Sequence, residues 1–353
     1  MEIILFIAAL AILVLSHELG HFLFARIFGA KVEEFGFGFP PRLFGFKKGE
    51  TVYSVNAVPL GGFVKILGED SSAKEPGSFG ARPVYAKAAI LAAGVFFNLL
   101  LAWMLFSAVN AAGAPTIVED GTPGSSITVL EVQKGTPAEK AGIAPGDSLL
   151  NFYYEGRLFK PQRISEVQNF IADHKGEEIG VEYARGNEIY KVFAVPDQNP
   201  EGGRGALGIA MGNIAIVPMP FYKAMSEGFK ETVFIISATA KALGSMVLQL
   251  VKGEGAEVQV MGPVGIAGLV GAASQTGFAY LLQLLGLLSI NLAIINFVPF
   301  PALDGGRLLF LVIETIKRSP IPQKVVSVSN GLGFAILIGL MVLVTYRDIA
   351  QLF

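Results

Sequence analysis

Apolar residues gather into four runs, at about 3–25, 88–110, 278–301 and 327–346. Each is long enough to cross a hydrocarbon layer of about 30 Å, which takes roughly 20 helical residues. Ala88–Val109 carries no charge over 22 residues, and Phe278–Leu303 none over 26. The first run breaks at His17-Glu18 and resumes through Phe22–Ala25. No basic segment precedes it and no small-residue cleavage site follows, so it reads as a retained membrane helix. The chain is therefore expected to be a polytopic α-helical membrane protein with about four transmembrane helices.

Between these runs the pattern changes. Residues 33–68 hold Gly-Phe-Gly-Phe, Pro40-Pro41 and alternating stretches such as Thr51–Val58. They are too polar and glycine-rich for a spanning helix, and are read as a membrane-associated β-hairpin or small sheet, an ordinary loop being the alternative. Residues 115–212 read as an inserted α/β module. Strands are expected at Ile127–Val132 and Ile179–Ala184, with Ile189–Val195 pairing to the latter across Arg-Gly-Asn. Thr136-Pro137-Ala138-Glu139 has the form of a capping box with proline in the first turn, opening a short helix. In Phe221–Lys252, Lys223, Glu227, Lys230, Lys241 and Lys252 share a helical face, the mark of an interfacial helix; a fifth span is the competing reading. The expected divisions are 1–28, 33–68, 86–111, 115–212, 221–275, 278–303, 304–326 and 327–348.

Charge sets the expected orientation. Nine Lys/Arg lie between the first and second runs, and Arg307, Lys317, Arg318 and Lys324 between the third and fourth. By the positive-inside tendency both connections are cytoplasmic, which puts the termini and the 115–212 module outside. Composition agrees with a lipid environment: 52% of residues are hydrophobic, 16% charged, and mean hydropathy is +0.55. With a net charge of −2 and no basic run, a nucleic-acid partner is not expected. Cysteine is absent, so any metal here relies on His, Asp or Glu.

His17-Glu18-Leu19-Gly20-His21 has the H-E-x-x-H form. On a helix, positions i and i+4 share a face, so both imidazoles reach one zinc ion while Glu18, one residue round, stands beside it as general base. The only other histidine, His174, lies in the inserted module and is expected at its surface. A third ligand then falls to a carboxylate. Asp304 is the candidate, following the helix-breaking Pro299 and Pro301 and preceding Gly305-Gly306. Asn98, Asn291 and Asn296 interrupt apolar spans. Asn296 is the best placed to bind a substrate carbonyl or oxyanion, while helix packing competes for all three.

The order of these features resembles the bacterial site-2 protease family, in the branch of the regulator of sigma-E protease. The resemblance rests on HExxH in the first span, Gly94-Val-Phe-Phe-Asn98 in the second, and Thr136–Asp147, which is similar to a PDZ helix and turn. It also rests on Met261-Gly-Pro-Val-Gly-Ile-Ala267 and the Asn296–Gly305 stretch. It implies one Zn²⁺ per chain at His17, His21 and Asp304, Glu18 as catalytic base, and substrate contact by Asn291, Asn296, Pro299 and Pro301. It further implies a single inserted PDZ domain, whose ligand stays open, and the bacterial inner membrane. The substrates implied are single-span membrane proteins already trimmed outside, such as anti-sigma factors or signal-peptide remnants. A strand edge within 33–68, tested by proline along 51–58, is expected to hold such substrates extended. The second-span motif departs from the family in having Val95 after Gly94, where proline is usual. The rival readings are a catalytically silent membrane scaffold of the same fold and a metal transporter, the latter disfavoured by the lack of internal repeats.

Overall fold

A computed structural model describes residues 2–69, 75–186, 188–200, 205–252 and 261–350. It divides into two compact units, one formed by Met1–Asn110 with Phe221–Phe353 and the other by Ala111–Pro220.

The first unit opens with helix α1 (Glu2–Ile27), then strands β1 (Val32–Lys48) and β2 (Thr51–Ile66), then α2 (Val84–Ala112). The two strands fold back on themselves. Residues 34–37 of β1 pair on one side with the 62–65 stretch of β2 and on the other with 52–55, and residues 42–48 close against 51–56. Residues 52–55 are thus flanked on both sides, so the middle of 51–58 cannot be an open edge. In the described register, 62–66 is paired on one side only. Phe22, Ala25, Val32, Ile66 and Ile90 form a buried cluster that fastens this sheet to α1 and α2. Farther along the hairpin, Leu43, Phe44 and Phe46 are exposed, as apolar side chains facing lipid rather than water would be.

The second unit is a sheet with strand order β3-β9-β4-β5-β7-β8, β6 pairing with β5. Its strands are β3 (Ala114–Val118), β4 (Ser126–Val132), β5 (Ser148–Tyr154), β6 (Arg157–Phe159), β7 (Ile179–Arg185), β8 (Glu188–Ala194) and β9 (Ile209–Val217), with helices α3 (Pro137–Lys140) and α4 (Ile164–Asp173). Val129, Phe152, Val167, Ile179, Val181 and Leu207 fill its core. The β7–β8 pairing runs from Ile179↔Ala194 to Arg185↔Glu188; Asn187 of the expected turn lies outside the described residues. The capping box takes another form. Thr136 Oγ1 donates to the Gln133 carbonyl, and Glu139 accepts from the Gly135 N–H at 2.6 Å, one residue before the expected cap. His174 is not a surface residue but half-buried, its ring 4.2 Å from that of Tyr154 and 4.4 Å from that of Phe170.

The first unit resumes with α5 (Phe221–Lys252), α6 (Pro263–Thr276), α7 (Phe278–Phe297), α8 (Asp304–Lys317) and α9 (Gln323–Ala350). Among the described residues four helices are long and apolar enough to cross a membrane: Ile3–Ile27, Val84–Ala112, Phe278–Phe297 and Gln323–Ala350. Helices α1, α6 and α7 share a core through Leu13, Val270 and Leu285, and α2, α5 and α7 another through Ala102, Phe106 and Ile290. Helix α7 stops at Phe297, six residues before the expected limit of 303, because Pro299 and Pro301 lack the N–H a helix needs. The following stretch is not a plain connection but a new helix, α8, beginning at Asp304.

Candidate metal centre

The spacing of His17 and His21 on α1 brings their imidazoles side by side, with Nε2 atoms 3.3 Å apart and ring planes at 76°. Two small residues let α2 close over them. A Cβ on Gly20 would lie 2.3 Å from the Ala93 carbonyl, and one on Gly94 would lie 2.3 Å from His21 Nε2. The approach lets the Ile90 carbonyl accept a hydrogen bond from His21 Nδ1 at 2.8 Å. That bond holds the proton on Nδ1 and leaves the Nε2 lone pair aimed inward.

Asp304 arrives from α8. The prolines break the chain after α7, and the glycine pair allows the turn to fold tightly over the start of α8. A Cβ on Gly305 would come within 2.3 Å of the Phe297 and Val298 carbonyls, and one on Gly306 within 2.2 Å of the Phe300 carbonyl. A carboxylate in the first turn of a helix is also stabilised by the helix dipole. Its Oδ2 sits 3.0 Å from His17 Nε2 and 3.2 Å from His21 Nε2.

The three atoms thus form a triangle with edges of 3.0, 3.2 and 3.3 Å. Tetrahedral zinc with nitrogen and oxygen ligands at about 2.0–2.1 Å has ligand–ligand edges of about 3.3 Å. Although both imidazoles are so close, Asp304 Oδ2 is buried without a hydrogen-bond donor directed at it. Three acceptor atoms converging on one point are the arrangement that a shared cation stabilises. The donor set fits zinc, and His17, His21 and Asp304 form the one such group among the described residues.

A cavity of about 880 Å³ opens over this point, lined among others by Val14, Glu18, Phe63, Asn296, Asp304 and Leu337. Glu18 faces it from the ring of α1 beside the histidines. Gly62, on the one-sided edge of β2, lies against the Glu18 side chain, where an added Cβ would meet Cγ at 3.0 Å. Asn296 lines the cavity with Nδ2 3.4 Å from His17 Nε2. The other residues expected at the substrate stand elsewhere. Asn98 is fully buried behind His17, its amide nitrogen 3.3 Å from Nδ1, and its backbone carbonyl accepts from Ser289 Oγ. Its Oδ1 has no partner as oriented. Rotating the amide by half a turn lets Oδ1 accept from His17 Nδ1–H, the arrangement a metal-binding imidazole uses. Asn291 is half-buried on α7, Pro299 is exposed and Pro301 half-buried, and none of the three lines the cavity. Missed from the sequence were the Ile90 carbonyl and the helix contact at Gly20 and Gly94. The small residue inside the H-E-x-x-H motif was the available signal.

Membrane-length helices enclosing an imidazole pair and a carboxylate, with a second carboxylate in the adjoining cleft, define the class of membrane-embedded metalloproteases. Residues 5–340 match Peptidase family M50, and the chain belongs to that family. It is 36% identical to a candidate zinc metalloprotease of Clostridium perfringens, over 99% of this chain and 98% of the relative. A second such protein, from Nostoc sp., is 35% identical over 100% of this chain and 97% of the relative. The zinc metalloprotease RasP of Geobacillus kaustophilus is 28% identical over 100% of this chain and 98% of its own length. The protein is a multi-pass membrane zinc metalloprotease of the site-2 type.

Proposed function

We propose that this protease cleaves peptide bonds within the membrane segments of single-span proteins already trimmed on the outer face, anti-sigma factors or signal-peptide remnants being the class. His17, His21 and Asp304 hold one zinc ion, and Glu18 is the catalytic base. The observation that carries the reading is the triangle of 3.0–3.3 Å edges beside helices of membrane-spanning length, open on one side to a cleft with Glu18 in its wall. When bound, zinc polarises the scissile carbonyl and acidifies a water molecule. Glu18 accepts the proton of the attacking water and hands it to the leaving amine. Asn296 donates to the developing oxyanion from its place in the cleft wall. Asn98 acts one layer back, orienting His17. Pro299 and Pro301 shape the break after α7, and Asn291 lies within that helix, outside the cavity lining.

A helical substrate hides its carbonyls in its own hydrogen bonds, so it must be held extended to be cut. The one-sided edge at 62–66, running along the cleft past Glu18, supports strand addition there. The 111–220 unit is read as a PDZ domain on the resemblance of Thr136–Asp147, lying outside the inner membrane where it limits the size of what approaches. The charge asymmetry of the connections supports that orientation.

The test is zinc content and cleavage of a model single-span peptide in proteoliposomes. Glu18→Gln should keep zinc and lose cleavage by at least a thousandfold, whereas Asp304→Ala should lose zinc. Cleavage retained by Glu18→Gln would instead support the scaffold reading, with turnover arising from a contaminant.

A further inference from the structure

Between α7 and α8 the chain bends through residues 298–303 before it presents Asp304, and most of that bend holds itself. Pro299 and Pro301 have their φ angles fixed by the ring. The Phe300 N–H donates to the Val298 carbonyl at 2.7 Å, and the Leu303 N–H to the Phe300 carbonyl at 3.2 Å. Ala302 is the exception. Its φ is +75°, in the left-handed region that a residue with a Cβ seldom adopts. Its N–H leaves the bend and donates to Asn330 Oδ1 at 3.1 Å. Asn330 belongs to α9, a helix whose buried residues are Gly333, Val344 and Asp348. Gly333 is three residues beyond Asn330 and so shares its face. A Cβ at Gly333 would stand 2.4 Å from the Pro301 carbonyl. Helix α9 gives no group to the triangle of ligands, yet two of its residues clasp the bend just before Asp304.

We propose that Asn330 is a positioning residue for the metal centre: its side-chain carbonyl holds Ala302 in the left-handed conformation that aims the Asp304 carboxylate at His17 and His21. The inference rests on the reading of those three residues as zinc ligands. Asp304 follows Ala302 by two residues, so the dihedral at 302 sets the direction in which the start of α8 leaves the bend. A zinc ligand tolerates a displacement of only about 0.2 Å. Relaxation of Ala302 toward an ordinary negative φ therefore misplaces the carboxylate. Loss of the Asn330 acceptor favours that relaxation twice over, because it removes the bond that offsets the strain and leaves a half-buried N–H without a partner. Asparagine in a membrane-length helix commonly bonds a neighbouring helix. Here it grips the backbone of a helix break instead, and Gly333 lets α9 come close enough for it to do so. Glycine at position 302 would take the same conformation without strain, which separates the clasp from a general packing role.

Asn330→Leu keeps the size of the side chain and removes the acceptor. Zinc affinity, measured by chelator competition on the full chain in detergent, should fall at least about tenfold. Amide hydrogen exchange at residue 302, followed by mass spectrometry, should accelerate at least about tenfold, and this readout needs no metal. In an Ala302→Gly background the same replacement should cost less than about threefold in zinc affinity, because glycine keeps the bend without the clasp. Gly333→Ala leaves Asn330 in place but crowds Pro301, and should also weaken zinc binding about tenfold. Gly331→Ala, with nothing within 4 Å of the added carbon, should leave it unchanged. Asn330→Leu protein that binds zinc within about threefold of the parent overturns the proposal. So does an equal loss in the Ala302→Gly background, which would mean general disturbance of α9. A parent chain that binds no zinc refutes the metal reading itself, while exchange at residue 302 still reports whether the clasp exists.

Discussion

Replacing Gly94 by alanine adds one methyl group at the point where α2 meets both imidazoles. The new Cβ would stand 2.3 Å from His21 Nε2, 2.6 Å from His17 Cε1 and 2.8 Å from His17 Nδ1, where ordinary contact begins near 3.4 Å. One ring or one helix must therefore move by 3.4 − 2.3, about 1 Å. Retreat of α2 is opposed by its Ile90 hydrogen bond to His21 and by the Phe22–Ile90 cluster below. The imidazoles are the softer side. Overpacking of this kind costs about 1–3 kcal/mol of stability, too little to unfold the bundle. A zinc site tolerates displacement of only about 0.2 Å per ligand, so a 1 Å shift removes at least one good bond. Zinc affinity should fall at least about 100-fold, equivalent to about 2.7 kcal/mol. Chelator competition on the purified protein measures it, with helix content followed by circular dichroism. Gly339→Ala on α9, with nothing within 4 Å of the added carbon, is the control and should leave zinc binding unchanged. Gly94→Ala protein that binds zinc within threefold of the parent would refute the helix approach on which the site is built.

Two further outcomes are expected. If the 62–66 edge holds substrate by strand addition, one ester replacing a peptide bond two residues from the cut removes one donor. That costs about 1 kcal/mol, or about fivefold in kcat/KM, without changing any side chain; equal rates for ester and amide peptides would discard strand addition. In the second unit, Tyr153 and Asn151 donate to Glu182 at 2.6 and 2.8 Å, and the Tyr153 bond first, then that of Asn151, holds the Glu182 carboxyl below its ordinary range. A depressed carboxyl stabilises above its unfolded pKa, and that contribution is lost as pH falls through the folded value. Tyr153→Phe should therefore lower the melting temperature of this unit at pH 7 and have a shrinking effect as pH drops below about 4. A pH-independent difference would mean that packing, not the charge, is responsible.

The extent to which the site was legible differs residue by residue. His17, Glu18 and His21 lie within one turn of helix, so spacing alone relates them. Asp304 is almost 300 residues away, and it was found because a carboxylate after two prolines at the end of a charge-free span has few other uses. Asn98 is the instructive case. Its polarity in an apolar span left substrate contact and helix packing both open, because polarity does not say which way a side chain points. Packing of α2 on α1 turned it toward the back of His17 instead of the cleft.

The strand region makes the same distinction. Glycine, proline and alternating residues at 33–68 were enough to exclude a helix and expect a sheet, since those are local preferences. Which stretch would be left with an open edge depended on how β1 and β2 folded back, and the structure chose 62–66 over 51–58. The hydrophobic runs, the helix breaks and the chemical identity of the ligands were set by the order of residues, because each follows from interactions within a turn or two of chain. Tertiary structure alone decided the convergence of α1 and α8 to edges near 3 Å and the tautomer imposed by the Ile90 carbonyl of α2. These arise between elements 69 to 287 residues apart, where close packing, and not local preference, fixes distance.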